Sequence, residues 1–133
     1  MKAEDLKIIV KEKYSEIVKS TDQSSSCCGT SSSCCGTDYT VFSENYQNLQ
    51  GYNPDADYNL GCGIPTEFAR IKNGDTVVDL GSGAGNDCFV ARAFVGESGK
   101  VIGVDMTEAM IVKARENNNK LVLILLIESA SLE

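Results

Sequence analysis

Six cysteines and no histidine set the chemistry open to this chain. Four of the six fall in one stretch. The unit SSSCCGT is written twice in succession across 24–37 and places Cys27, Cys28, Cys34 and Cys35 on a Ser/Thr/Gly loop. Cys62 and Cys88 stand apart. Thiolates are soft ligands and select soft, thiophilic ions. Thiol pairs spaced this way on one loop can share such an ion, or accept it and pass it on. A repeat expansion without a role, or a general thiol reservoir, are the plainer alternatives. The lack of histidine excludes a Cys/His zinc site and histidine general-base catalysis.

A second constellation lies at 77–105. In VVDLGSGAGND, Gly81, Gly83 and Gly85 follow an apolar run and open a helical pattern, with Ser82 between the first two. Lacking Cβ atoms, such a turn can be sharp and can bring backbone amides against a ligand. Asp105 comes 20 residues after Gly85, at the end of the next apolar run. That is where an acid accepts hydrogen bonds from ribose hydroxyls. The pattern predicts a nucleotide-type site. Its spacing is G-x-G-x-G, with Asp79 two residues ahead, and not the G-x-G-x-x-G of dinucleotide sites.

The elements that position these residues are legible from periodicity. Residues 3–19 predict a helix, with Leu6, Ile9, Val10, Tyr14, Ile17 and Val18 at three- and four-residue spacing. The aromatic-rich stretch 38–63 predicts mostly irregular structure, with a helical turn near 42–47. Residues 65–72 predict a short helix opened by Pro65. TVVDL, 76–80, and KVIGVD, 100–105, predict buried strands. Helices are predicted at 86–95, capped by Asn86, and at 107–117, capped by Thr107 and ended by Asn117–Asn119. The order strand, glycine turn, helix, strand is a βαβ unit and implies an α/β fold with a parallel sheet. LVLILLIE, in the tail, reads as a third strand apolar on both faces, or as a departure from the domain's own pattern.

The chain has 133 residues, enough for one modest core. Its net charge of −7 argues against nonspecific binding to nucleic acid or an anionic membrane. The charged N-terminus has no signal-peptide run, and no apolar stretch approaches the roughly 20 residues that span a bilayer. The expected location is cytoplasmic, where thiols stay reduced.

D-x-G-x-G-x-G at 79–85 resembles the first motif of class I S-adenosylmethionine-dependent methyltransferases. NLGCGIP at 59–65, GDTVVDLGSGAGNDCFVAR at 74–92 and GKVIGVDMTEAMIVKAR at 99–115 together resemble the arsenite methyltransferases. The resemblance covers nearly residues 1–119. It implies a Rossmann-like class I methyltransferase fold, here its N-terminal βαβ half, with 1–63 as a helix and Cys-rich segment and 64–133 as a partial cofactor domain. It implies S-adenosylmethionine as cofactor. Asp79, Gly81, Ser82, Gly83 and Gly85 would then shape the methionyl end and Asp105 would hold the ribose. Met106 would pack on the adenine, or serve as a plain core side chain.

The same resemblance makes Cys62 one of the arsenic-handling thiols and puts a cysteine of the 27–35 loop in thiol exchange, with a thiol reductant as partner. The substrate would be arsenite or its thiol conjugates. The partners that the family gives Cys62 come later in the domain, and this chain has no cysteine after Cys88. The arsenic site is thus incomplete and the chain is expected to be inactive alone. Cys88 itself reads as a small buried residue. In the family the strand at 76–80 pairs with a fourth strand that is not found here, so an open edge and homo-oligomers are expected. Two alternatives stand beside this reading. One is a methyltransferase for another small molecule. The other is a non-catalytic, thiol-rich soft-metal binder.

Overall fold

A computed structural model of the chain describes residues 2–23, 45–60, 63–121 and 126–129. The core begins with two β-branched runs. Thr76–Leu80 forms β1 and Lys100–Asp105 forms β2, paired parallel with Val77 opposite Val101 and Leu80 opposite Val104. Leu126–Ser129 forms β3 and adds to the other side of β2, so the order is β1-β2-β3. The tail is therefore a strand in its described part, with Leu126 opposite Ile102.

Between the strands run α2, Asn86–Val95, and α3, Glu108–Leu121; α1, Ala3–Gln23, packs against α3. One apolar cluster joins them: Cys88, Phe89, Ala91 and Val95 of α2, Val101 of β2, Met110, Ile111 and Ala114 of α3, and Val18 of α1. Alternation along the strands turns Val101 and Gly103 to this cluster. The opposite side of β1 carries Val78 and Leu80, which are 54% and 80% exposed. Among the described residues the helices cover one face of the sheet.

Several boundaries differ from the periodicity. The stripe predicted on α1 is buried only at its end. Val18 is buried, while Leu6, Ile9 and Tyr14 are exposed. The predicted helix at 65–72 is a single 3-10 turn, Pro65–Glu67, because Arg70 follows in the left-handed region at φ 52°. A second 3-10 turn, Tyr46–Asn48, stands near the turn predicted at 42–47, of which 42–44 lie outside the described residues. Gly85, not Asn86, is the N-cap of α2, at φ 96°. A residue there must tolerate that conformation, and a Cβ would lie 3.1 Å from the Phe89 ring. The asparagines at 117–119 do not end α3. Asn117 is fully buried and donates from Nδ2 to the Asp55 carbonyl at 3.3 Å, so the helix continues under the 54–56 turn. Among the described residues, no helix is long and apolar enough to cross a membrane.

Gly103 shows how closely β2 meets α2. A Cβ there would lie 2.8 Å from Cys88 Sγ and 2.9 Å from Ser82 Oγ. Overpacking of this kind costs about 1–3 kcal/mol. Gly103→Ala is expected to lose stability in that range by urea unfolding; a midpoint equal to the parent's would show that α2 can shift freely.

Candidate functional site

The glycine turn opens a cavity of about 540 Å³. Gly81, Ser82, Gly83 and Ala84 form one side, Asp105, Met106, Thr107 and Met110 another, and Tyr46, Asp57 and Tyr58 a third. Met110 is buried in the core and Met106 is half-buried. Of the residues that sequence analysis selected, the structure thus brings Gly81, Ser82, Gly83, Asp105 and Met106 together on the cavity wall. Asp79 and Gly85 stand behind it. Cys27, Cys28, Cys34, Cys35 and Cys62 lie outside the described residues.

The loop is held from within. Gly81 and Ser82 donate their amides to the Val104 carbonyl, at 2.7 and 3.1 Å. Gly83 donates its amide to Asp105 Oδ2 at 2.9 Å. Gly81 and Gly83 lie at φ of 82° and 53°, which L side chains rarely adopt. The expectation that the turn brings its amides against a ligand is corrected here for residues 81–83. Those donors are already taken by β2. What the turn offers is bare backbone: a Cβ on Gly81 would meet nothing within 4 Å.

Asp105 is 9% exposed and uses each oxygen once. Oδ2 accepts from Gly83, and Oδ1 accepts from the Thr107 amide at 2.7 Å. A carboxylate carries about four lone-pair sites, so acceptor capacity is left over at the cavity wall. Asn86 also lines the cavity, and its Oδ1 is buried without a hydrogen-bond partner.

Behind the wall, Cys88 Sγ donates to Asp79 Oδ2 at 3.3 Å. Burial drives the Cys88 thiol far above its ordinary range, and the charge of Asp79 pushes the same way. Burial and the neighbouring carboxylate both disfavour the thiolate, the form that binds a soft ion. Burial also raises the carboxyl of Asp79, and the charge of Asp105 adds to this. Asp87, on the first turn of α2, is raised by burial first and then by the charges of Asp79 and Asp57. Its Oδ1 accepts from the Tyr46 hydroxyl at 2.9 Å.

Sequence analysis did not select Tyr46, Asp57, Asp87 or Met110. Asp87 was visible as the acid after GAGN, but nothing local pairs it with a tyrosine 41 positions earlier. Among the described residues, the charged side chains on the cavity wall are Asp57, Asp87 and Asp105. Among the described residues, no cluster of three His, Cys, Asp or Glu suits a metal ion.

The raised carboxyls carry a pH signature. Asp79 and Asp87 hold their protons more tightly folded than unfolded, where the value is 3.8. Their stabilising effect is complete below that value and is lost as pH rises through the folded values. Asp79→Asn and Asp87→Asn should therefore gain stability relative to the parent as pH rises above 3.8. Urea midpoints above that pH check this; a parent–variant difference that does not change with pH would rule it out.

The methyltransferase-domain family model matches residues 71–126, from the approach to β1 through the start of β3. The arsenite methyltransferase of Halobacterium salinarum is 44% identical over 126 residues, covering 86% of this chain and 32% of that protein. The mouse arsenite methyltransferase is 34% identical over 114 residues, covering 85% of this chain and 28% of its own. A ribosomal RNA large subunit methyltransferase E from Halorubrum lacusprofundi is 45% identical, but covers only 47% of this chain and 23% of that protein. Similarity to the arsenite enzymes thus reaches well beyond the stretch shared with an RNA methyltransferase. The chain spans about a third of the length of the curated relatives it matches. With its glycine turn, strand-end aspartate and parallel sheet, the chain is a homologue of the arsenite methyltransferases, built on the Rossmann-like class I methyltransferase fold.

Proposed function

We propose that this chain forms the cofactor-binding part of an S-adenosylmethionine-dependent methyltransferase that acts on thiol-bound arsenite. The observation that carries the cofactor is the cavity's charge and donor pattern. The amides of residues 81–83 are spent inside the protein, so the turn is no cradle for a pyrophosphate. Among the described residues the charged side chains of the wall are carboxylates, which suits a cationic ligand.

When bound, S-adenosylmethionine supplies a methyl group on a positively charged sulfur. Asp105 accepts from the ribose hydroxyls with the lone pairs that Gly83 and Thr107 leave free. Met106 and Met110 give the adenine an apolar, polarisable surface. Gly81, Ser82 and Gly83 let the methionyl end approach the backbone, and Asp79 and Gly85 support that turn from behind. Arsenite, as substrate, is held by the Cys62 thiolate and reached through exchange with Cys27, Cys28, Cys34 or Cys35, with a thiol reductant restoring them. The arsenic lone pair would attack the methyl carbon as the carbon–sulfur bond breaks and the sulfur leaves as a neutral thioether; the thiol reductant would then return the formally oxidised arsenic to the trivalent state, and the transfer needs positioning and no general base. Cys88 takes no part, being buried and protonated. Without further thiols beside Cys62, the chain alone binds its cofactor but does not turn over. On this reading 1–63 is the thiol-handling segment and 64–133 the cofactor half, working in the cytoplasm without nucleic acid or membrane.

Native mass spectrometry of the reduced chain with S-adenosylmethionine and arsenite tests this. One cofactor adduct is expected, and an arsenic adduct lost in Cys62→Ser. A cofactor adduct with no arsenic adduct points to another small methyl acceptor. Arsenic held only by Cys27, Cys28, Cys34 and Cys35, with no cofactor bound, points to a soft-metal binder. At about a hundred times its dissociation constant, the cofactor should stabilise the fold by about 2.7 kcal/mol.

β1 is the edge of the described sheet and exposes Val78 and Leu80. Open edges pair with other chains, so we expect self-association through β1. Sedimentation should show a dimer or larger species that a Val78→Lys substitution disperses; a monomer at high concentration would remove this expectation.

A further inference from the structure

The cavity's third side is a long irregular stretch, and the structure shows what holds it. Tyr46 is 4% exposed and packs in a small cluster with Ile64 and Val90 of α2. Its hydroxyl meets two groups that are remote in sequence. One is Asp87 Oδ1, at 2.9 Å, on the first turn of α2. The other is the Gly63 carbonyl, and the phenol's one hydrogen is shared between these two acceptors. Tyr46 and Asp87 both line the cavity. A single phenol oxygen thus joins the 3-10 turn at 46–48, the chain at 63 and the start of the helix that follows the glycine turn.

The same stretch also meets α2 through its backbone at Gly51. Gly51, at φ 88°, lies so near α2 that a Cβ would sit 2.4 Å from the Phe89 carbonyl. That contact is backbone against backbone and lies deeper along the helix. The contact at Tyr46 is the one made on the cavity wall. The ring's packing with Ile64 and Val90 and the hydroxyl's hydrogen bonds are separable: phenylalanine keeps the first and removes the second.

We propose that Tyr46 is a positioning residue for the cofactor: its hydroxyl ties Gly63 to Asp87 and so fixes the wall formed by residues 46–60 at a set distance from the glycine turn. This rests on the S-adenosylmethionine reading above. A cavity with one wall released has to be ordered again when the ligand enters, and that ordering weakens binding. Asparagine at 87 can both accept from and donate to a phenol, so it preserves the tie. Leucine at 87 cannot.

Titration calorimetry with S-adenosylmethionine, paired with thermal melting of the ligand-free chain, tests the proposal. Tyr46→Phe and Asp87→Leu should each weaken binding about three- to tenfold, the range of one net hydrogen bond. Asp87→Asn removes a wall carboxylate but keeps the tie, so it should bind more tightly than Asp87→Leu. The double variant Tyr46→Phe/Asp87→Leu should be no weaker than either single one, since both remove the same tie. The melting temperature of Tyr46→Phe should stay close to the parent's. Parent-like binding by Tyr46→Phe overturns the proposal, and so do fully additive losses in the double variant. If Tyr46→Phe does not fold, the comparison of Asp87→Asn with Asp87→Leu decides in the same way. A parent chain that binds no S-adenosylmethionine removes the functional reading and the proposal together, whereas normal parent binding with unaffected variants removes the proposal alone.

Discussion

The carboxylate of Asp105 is the junction on which the site depends. It ends β2, receives the Gly83 amide on one oxygen and the Thr107 amide on the other, and is almost fully buried. A hydrogen bond to a charged acceptor is stronger than a neutral one, and two of them here fix two connections at once. One is the turn between β1 and α2. The other is the entry into α3, where the Ile111 amide already reaches back to the Thr107 carbonyl. The cavity floor takes its shape from this junction.

The turn's own geometry follows. With Gly81 and Ser82 bound to the Val104 carbonyl, residues 81–83 are spliced onto the end of β2. The glycines permit the backbone angles, and the strand supplies the partners. The resulting surface is apolar backbone and carboxylate, quite unlike a loop of free amides waiting for phosphate. That surface supports the proposed reading of a cofactor without a pyrophosphate and with a positive sulfur.

Just behind, Cys88, Asp79, Ser82 and Gly103 form one packed unit. The thiol gives its hydrogen to Asp79, and it fills the space that a side chain at 103 would need. A cysteine inside a motif associated with arsenic chemistry thus does packing work, because low polarity and neighbouring carboxylates keep it protonated. Its burial, and not its residue type or motif membership, sets its chemistry.

The β-branched strands at 76–80 and 100–105, the glycine turn, the helix after it and the strand-end acid are all legible in the chain before it folds. Each of these rests on local physics: period-two or apolar runs, missing Cβ atoms, and the spacing of a βαβ unit. The sequence also carried the motifs that tie the chain to the arsenite methyltransferases. Only the tertiary structure decided the rest. Asn117, a residue of helix ends, stays in α3 because Asp55, 62 positions earlier, gives its amide a partner. PTEFARIK has the composition of a helix, yet with Arg70 left-handed only one turn forms. Tyr46 looked like one aromatic among several in an irregular stretch, and it becomes part of the cavity through Gly63 and Asp87. Contacts between residues tens of positions apart leave no periodic trace in the chain, so they become visible only when folding brings the groups within hydrogen-bond distance.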